Sequence, residues 1–140
     1  MKIEILYSTK SNISQELALS MAKWVKTSAS PIKSFVYTQP IDLLVIVFKD
    51  GFFNDGELVE LIKSLDRTKV YNLCLVNSYY YKPLKLNRII KLCQNSNLPL
   101  MREHYSFKVT YGERYGIKQV NIDGARLYIE DMVNLIINYY

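Results

Sequence analysis

The chain has 140 residues, 49% hydrophobic and 22% charged, which is enough for one globular domain with a substantial core and too little for two. Its longest apolar run, residues 43–48, is strand-sized and far short of a membrane span, and Glu4 and Ser8 break the N-terminal apolar residues too early for a secretion signal. The net charge of +5 is dispersed: Lys82, Lys85, Arg88 and Lys91 form the nearest thing to a basic face, a spacing that belongs to the solvated side of a helix, so neither nucleic acid nor membrane is the expected partner.

Residues 2–14, KIEILYSTKSNIS, open the chain with a short apolar strand ending at Tyr7. A polar loop follows, with Ser8, Thr9, Lys10, Ser11 and Asn12, then Ile13 and Ser14. Ile13, Leu17, Met21, Trp24 and Val25 recur at helical spacing, which predicts an amphipathic helix running to Thr27 and ended by residues 28–31. A strand feeding a hydroxyl-rich turn and a helix start can bind a phosphate, because the first-turn amides are unpaired and the dipole is positive there. The same residues also suit an ordinary turn with a Ser or Asn cap.

Residues 34–37 predict a short strand closed by Pro40. The run IDLLVIVF, residues 41–48, is apolar at every position from Leu43, as expected of a central parallel strand covered on both faces. Two Asp-Gly pairs mark residues 49–56 as a loop, and it carries Phe52 and Phe53. Leu58, Leu61, Ile62 and Leu65 predict a helix over 57–65, and VYNLCLV, residues 70–76, a further buried strand. Residues 77–83 read as a loop, 84–93 as a helix with Leu86, Ile89, Ile90 and Cys93 inward, and 100–109 as an extended stretch. A last helix is expected over 122–137, its stripe Ala125, Ile129, Met132, Val133 and Ile136, with Asp123 near its N-terminus. Cys74 and Cys93 lie in apolar stretches without CxxC spacing and read as reduced core thiols of a cytoplasmic protein.

The order is βα, β, βα, βα, βα, which predicts an α/β three-layer sandwich around a doubly wound five-stranded parallel sheet. Residues 38–40 leave no room for a helix after the second strand. Ligands of such sheets sit outside the carboxyl ends of the strands, where the winding reverses. The loops expected there carry Ser8 to Ser14, then Gly51, Phe52, Phe53 and Asn54, then Asn77, Ser78, Tyr79, Tyr80 and Tyr81, and a fourth covers residues 110–115. Aromatics in two loops beside a phosphate-type turn can sandwich a flat heteroaromatic ring; with 12 tyrosines in the chain, some can equally pack beneath the loops.

This pattern resembles the flavodoxin family, whose first strand leads into an aliphatic, aromatic, x, Thr/Ser, x, Thr/Ser, Gly, Asn, Thr signature. Leu6, Tyr7, Ser8, Thr9, Lys10, Ser11, Asn12, Ile13 and Ser14 fall into those places, with Asn12 at the usual Gly and Ile13 at the usual Asn. The resemblance spans nearly the whole chain in order and length, and it implies an FMN-binding, cytoplasmic electron carrier rather than an enzyme with a substrate of its own. It assigns the phosphate to the backbone of residues 8–14 and the hydroxyls of Thr9, Ser11 and Ser14. One ring face goes to Phe52 or Phe53 and the other to Tyr79, Tyr80 or Tyr81, with a carbonyl for flavin N5 from Gly51 or the Asn54–Gly56 turn. Asn12 is expected to take over the glycine's left-handed backbone. Asp50 and Asp55 lower the expected reduction potential, whereas Lys10, Lys49 and Lys82 raise it, to a value less negative than in acidic flavodoxins. The expected partners are redox proteins, and acidic ones suit the charge.

Other readings fit less well. A phosphoacceptor receiver domain shares the fold and would use Asp50, but Tyr7, Ser8 and Thr9 stand where its magnesium-binding acids belong. No glycine precedes Gly51, which excludes a G-x-G-x-x-G dinucleotide turn, and no cysteine lies in the first loop as a small phosphatase requires. His104 has no nucleophile or metal ligand at a readable spacing and reads as structural. Two alternatives stand beside the carrier: a flavodoxin-fold interaction module without flavin, and a small FMN-dependent reductase of quinone-type substrates.

Overall fold

The run 43–48 lies at the centre of the molecule. A computed structural model describes residues 1–9, 11–51, 56–110 and 116–139. The strands are β1 (Ile3–Tyr7), β2 (Ala29–Pro31), β3 (Leu43–Lys49), β4 (Leu73–Tyr79) and β5 (Tyr105–Lys108). The helices are α1 (Asn12–Trp24), α2 (Gly56–Ser64), α3 (Leu84–Asn95) and α4 (Gln119–Tyr139). The sheet is parallel throughout, in the order β2-β1-β3-β4-β5, with Ile5 opposite Ala29 and Val45, Val45 opposite Cys74, and Val76 opposite Tyr105. This is the flavodoxin-like doubly wound order.

Alternation along β3 explains why it is apolar at successive positions. Leu43, Val45 and Val47 face α1 and α4, in a core with Leu17, Met21, Ala125 and Ile129. Leu44, Ile46 and Phe48 face the other way, in a second core with Leu58, Ile62, Ile89 and Cys93. A strand buried on both faces favours apolar residues at successive positions. Both cysteines are buried free thiols, as expected of core residues. Among the described residues no helix is long and apolar enough to cross a membrane.

The structure corrects the sequence reading at several boundaries. The second strand is Ala29–Pro31, not residues 34–37; residues 32–34 form a single 3-10 turn. That turn stands where a helix would normally return the chain, and Ile32 buries itself against α2, which resolves the missing helix. Helix α1 stops at Trp24, whose half-exposed indole donates to Glu130 on α4 (3.2 Å) instead of facing the sheet. Helix α4 starts three residues early, so Asp123 lies past its first turn and accepts from Gln119 (2.9 Å). Lys85 is 5% exposed, so it leaves the basic face to Lys82, Arg88 and Lys91.

Candidate functional site

Chain order reverses between β1 and β3, and the described residues at the carboxyl ends there are the turn after β1, Asp50 and Gly51 after β3, and the end of β4. The Ser8 amide donates to the Val47 carbonyl (3.0 Å), tying the turn to β3 as it leaves the sheet. Ser11 then caps α1: its Oγ accepts from the Ser14 amide (3.1 Å) and its carbonyl from Gln15 (3.1 Å). Ser8, Ser11 and Ser14 are all buried. Asn12 is exposed and already helical, and the only non-glycine residues with positive φ among those described are Lys26 and Asn97. The turn therefore does not need left-handed geometry at Asn12, contrary to expectation. Ile13 packs into the core beneath α1, which takes its side chain out of reach of a ligand at the turn.

Several polar groups of this turn are left open or weakly bonded. With Ser11 and Ser14 amides satisfied, the first-turn amides of Asn12 and Ile13 have no acceptor among the described residues. Ser14 Oγ is fully buried and has no hydrogen-bond partner there. Thr9 turns both its amide and its hydroxyl toward one carboxylate oxygen, Glu57 Oε1, at 3.4 Å each. Lys10 lies outside the described residues. Glu57, in the first turn of α2, was missed by sequence reasoning; its contact with Thr9 spans 48 positions, and the only local signal is that an acid suits a helix start.

The end of β4 differs from expectation. Asn77, Ser78 and Tyr79 belong to the strand rather than to a loop, and Asn77 and Ser78 are buried. Asn77 survives inside a central strand because a network takes up both ends of its side-chain amide. Asn77 Nδ2 donates to Asp50 (2.9 Å) and its Oδ1 accepts from Ser106 on β5 (3.0 Å). Asp50 also accepts the Lys85 amide at the start of α3, and Lys85 Nζ donates to the Lys49 carbonyl (3.2 Å). Ser78 Oγ is buried without a partner among the described residues. Asp50 therefore closes the ends of β3, β4 and α3 together, and its charge is spent on protein donors.

Only part of the predicted aromatic sandwich lies within the described residues, because Phe52, Phe53, Asn54 and Asp55 are outside them. Gly51 is exposed, with open space where a side chain would begin. Tyr79 and Tyr80 are half-buried, and Tyr80 is engaged by Lys49, whose Nζ donates to its hydroxyl (3.1 Å) and lies 4.3 Å from its ring centroid. Tyr81 is 80% exposed. Of the three tyrosines it offers the most open ring. His104 is half-buried ahead of β5, where desolvation holds it below the usual histidine range. No cluster of three or more metal-ligating side chains occurs among the described residues.

The sheet order and winding define a flavodoxin-like α/β domain, with the β1–α1 turn at its switch point. Comparison with solved structures agrees on the fold. A flavodoxin from the domain Archaea matches at 13% identity and TM-score 0.50 over 91% of this chain and 98% of that one. An NAD(P)H:quinone oxidoreductase from Methanothermobacter marburgensis matches at 10% identity and TM-score 0.55, over 91% and 96%. The rubredoxin oxygen:oxidoreductase of Desulfovibrio gigas gives TM-score 0.63 at 11% identity; it covers 98% of this chain but 37% of the larger protein. No protein-family model and no curated protein sequence matches.

Proposed function

We propose that the chain binds FMN at the carboxyl ends of β1, β3 and β4 and serves as a small electron carrier. The observation that carries this reading is the turn after β1. Thr9 presents two donors to an anion, Ser14 Oγ is buried beside the helix start without a partner, and the amides of Asn12 and Ile13 remain open. These are phosphate-binding chemistries at the switch point of a flavodoxin-like sheet. Solved neighbours include a flavodoxin and a quinone oxidoreductase, which supports a flavin as the ligand class.

The residues fit the group. Thr9 Oγ1, Ser14 Oγ and the first-turn amides would hold the phosphate, and Tyr81 would cover the ring on the β4 side. Bound FMN would supply the redox chemistry, and the protein would orient it and shield it from water. Lys49 is half-buried and keeps its ammonium on Tyr80, a positive charge beside the β4 end. Asp50 is held by two hydrogen bonds from protein donors. Lys49 favours a less negative potential than an acidic pocket gives, and acidic redox proteins are the partners that the net charge of +5 would attract.

Reconstitution with FMN tests the reading. A carrier co-elutes with flavin absorbance, quenches the flavin's fluorescence and exchanges electrons with other redox proteins without turning over a nicotinamide. Sustained nicotinamide–quinone turnover would assign it to the reductases instead. The interaction-module reading has one observation in its favour, the Glu57 carboxylate already resting on Thr9. Failure to retain any flavin would refute the carrier, and capture of a protein partner by the flavin-free chain would then support the module.

A further inference from the structure

Glu57 has an unusual position for a first-turn acid. Its Oε1 accepts both Thr9 donors, while its Oε2 is buried with no hydrogen-bond partner among the described residues. A carboxylate that needed only the α2 dipole would keep both oxygens in water. Instead one oxygen is desolvated to place the other on the donors that an incoming anion needs. Both contacts are long, 3.4 Å, so the carboxylate is held weakly and can be displaced. Beside it lies an open groove of about 360 Å³, lined by Glu57 itself, Lys33, Phe35, Glu60 and others, into which the side chain can swing. Lys33 offers that displaced carboxylate a countercharge, and Glu60 opposes it.

We infer that Glu57 is a built-in competitor for the ligand's phosphate: in the free protein its carboxylate takes the Thr9 donors of the anion seat, and binding of a phosphorylated ligand requires its displacement toward the Lys33 groove. The inference rests on the phosphate reading of the β1–α1 turn. It makes Glu57 a specificity residue, because the carboxylate penalises a phosphorylated flavin and leaves an unphosphorylated one untouched. Like charges sharing one seat cannot both be accommodated without loss.

The test compares FMN with riboflavin on the intact chain and on Glu57→Gln, which keeps the side chain's size and an acceptor oxygen. Glu57→Ala serves as the second variant should glutamine alter folding, judged by circular dichroism. The inference expects Glu57→Gln to bind FMN about tenfold more tightly while riboflavin affinity stays within about twofold. Equal changes for both flavins, or none for FMN, overturn it. A parallel titration with inorganic phosphate, read at the Thr9 amide by nitrogen–proton NMR, separates this inference from the flavin reading. Should flavin fail to bind either protein while phosphate binds the variant more tightly, the competitor stands and the flavin falls. Phosphate affinity equal in both removes the competitor whatever flavin does.

Discussion

Replacing Asp50 by alanine removes the acceptor that joins three elements at the site. Its carboxylate takes Asn77 Nδ2 at 2.9 Å and the Lys85 amide, and the residue is buried. Hydrogen bonds to a charged acceptor are worth about 1.5–3 kcal/mol each. The donors left behind are themselves buried: Asn77 is fully covered and Lys85 is 5% exposed. Water entering the vacated space recovers part of the loss, so we expect Asp50→Ala to destabilise the fold by about 3 kcal/mol. Asp50→Asn keeps one acceptor for Lys85 but turns an amide toward Asn77 Nδ2, and should cost about 1–2 kcal/mol. Ser106→Ala, which removes only the 3.0 Å bond to Asn77 Oδ1, should cost about 1 kcal/mol. Because Asp50 and Ser106 act through the same amide, the double variant should cost less than the sum. Urea unfolding measures all four, and for 140 residues the alanine variant should melt roughly 10 °C lower. An Asp50→Ala cost below about 1 kcal/mol, or strict additivity with Ser106→Ala, would refute the network.

Three more outcomes follow from the same geometry. Gly124→Ala should destabilise although it improves helix propensity by about 1 kcal/mol, because the new Cβ would run into the Tyr105 hydroxyl and lie 2.8 Å from its ring carbon. Tyr105 is held by its bond to Asn121 and its packing on Phe107 and Tyr128; Tyr105→Leu in the same chain should recover part of the loss in thermal melts. Ser11→Ala removes the α1 cap and should cost about 1 kcal/mol in urea unfolding. Burial raises the Cys74 thiol to about 12 and Cys93 to about 11. Both pKa values lie above the unfolded 9.0, so the stability these thiols contribute is present below pH 9 and is lost as pH rises toward 11–12. Unfolding free energy measured at pH 8 and pH 10.5 should fall by up to about 1.4 kcal/mol per pH unit per thiol above pH 9, and less in Cys74→Ala.

The layered fold was legible because burial on two faces leaves a one-dimensional mark. Leu43 to Phe48 is apolar at every position, and the stripes of α2, α3 and α4 fall at helical spacing. The elements that escaped are those fixed by distant partners. Strand β2 is three residues long and contains Ser30 and Pro31; it is a strand because it pairs with β1, and nothing within it says so. Asn77 and Ser78 read as loop residues because polar side chains rarely enter a central strand, and Asn77's acceptor and donor come from β3's end and β5. The site divides in the same way. Its hydroxyl-rich turn is contiguous and visible, with Ser11 as the cap. Glu57 answers Thr9 from the next βα unit, and no periodicity could announce it. Ile13 sits in the signature by position, yet its hydrophobic stripe assigns it to the core, as the structure shows.

The central claim is that the turn after β1 holds the phosphate of FMN. The most direct measurement is a fluorescence-quenching titration of FMN into the protein, run beside Thr9→Val and Ser14→Ala. Saturable quenching is expected at micromolar FMN or tighter, weakened about tenfold or more in each variant, with riboflavin affected far less. No quenching at about 10 μM FMN, or equal affinity in all three proteins, would contradict it.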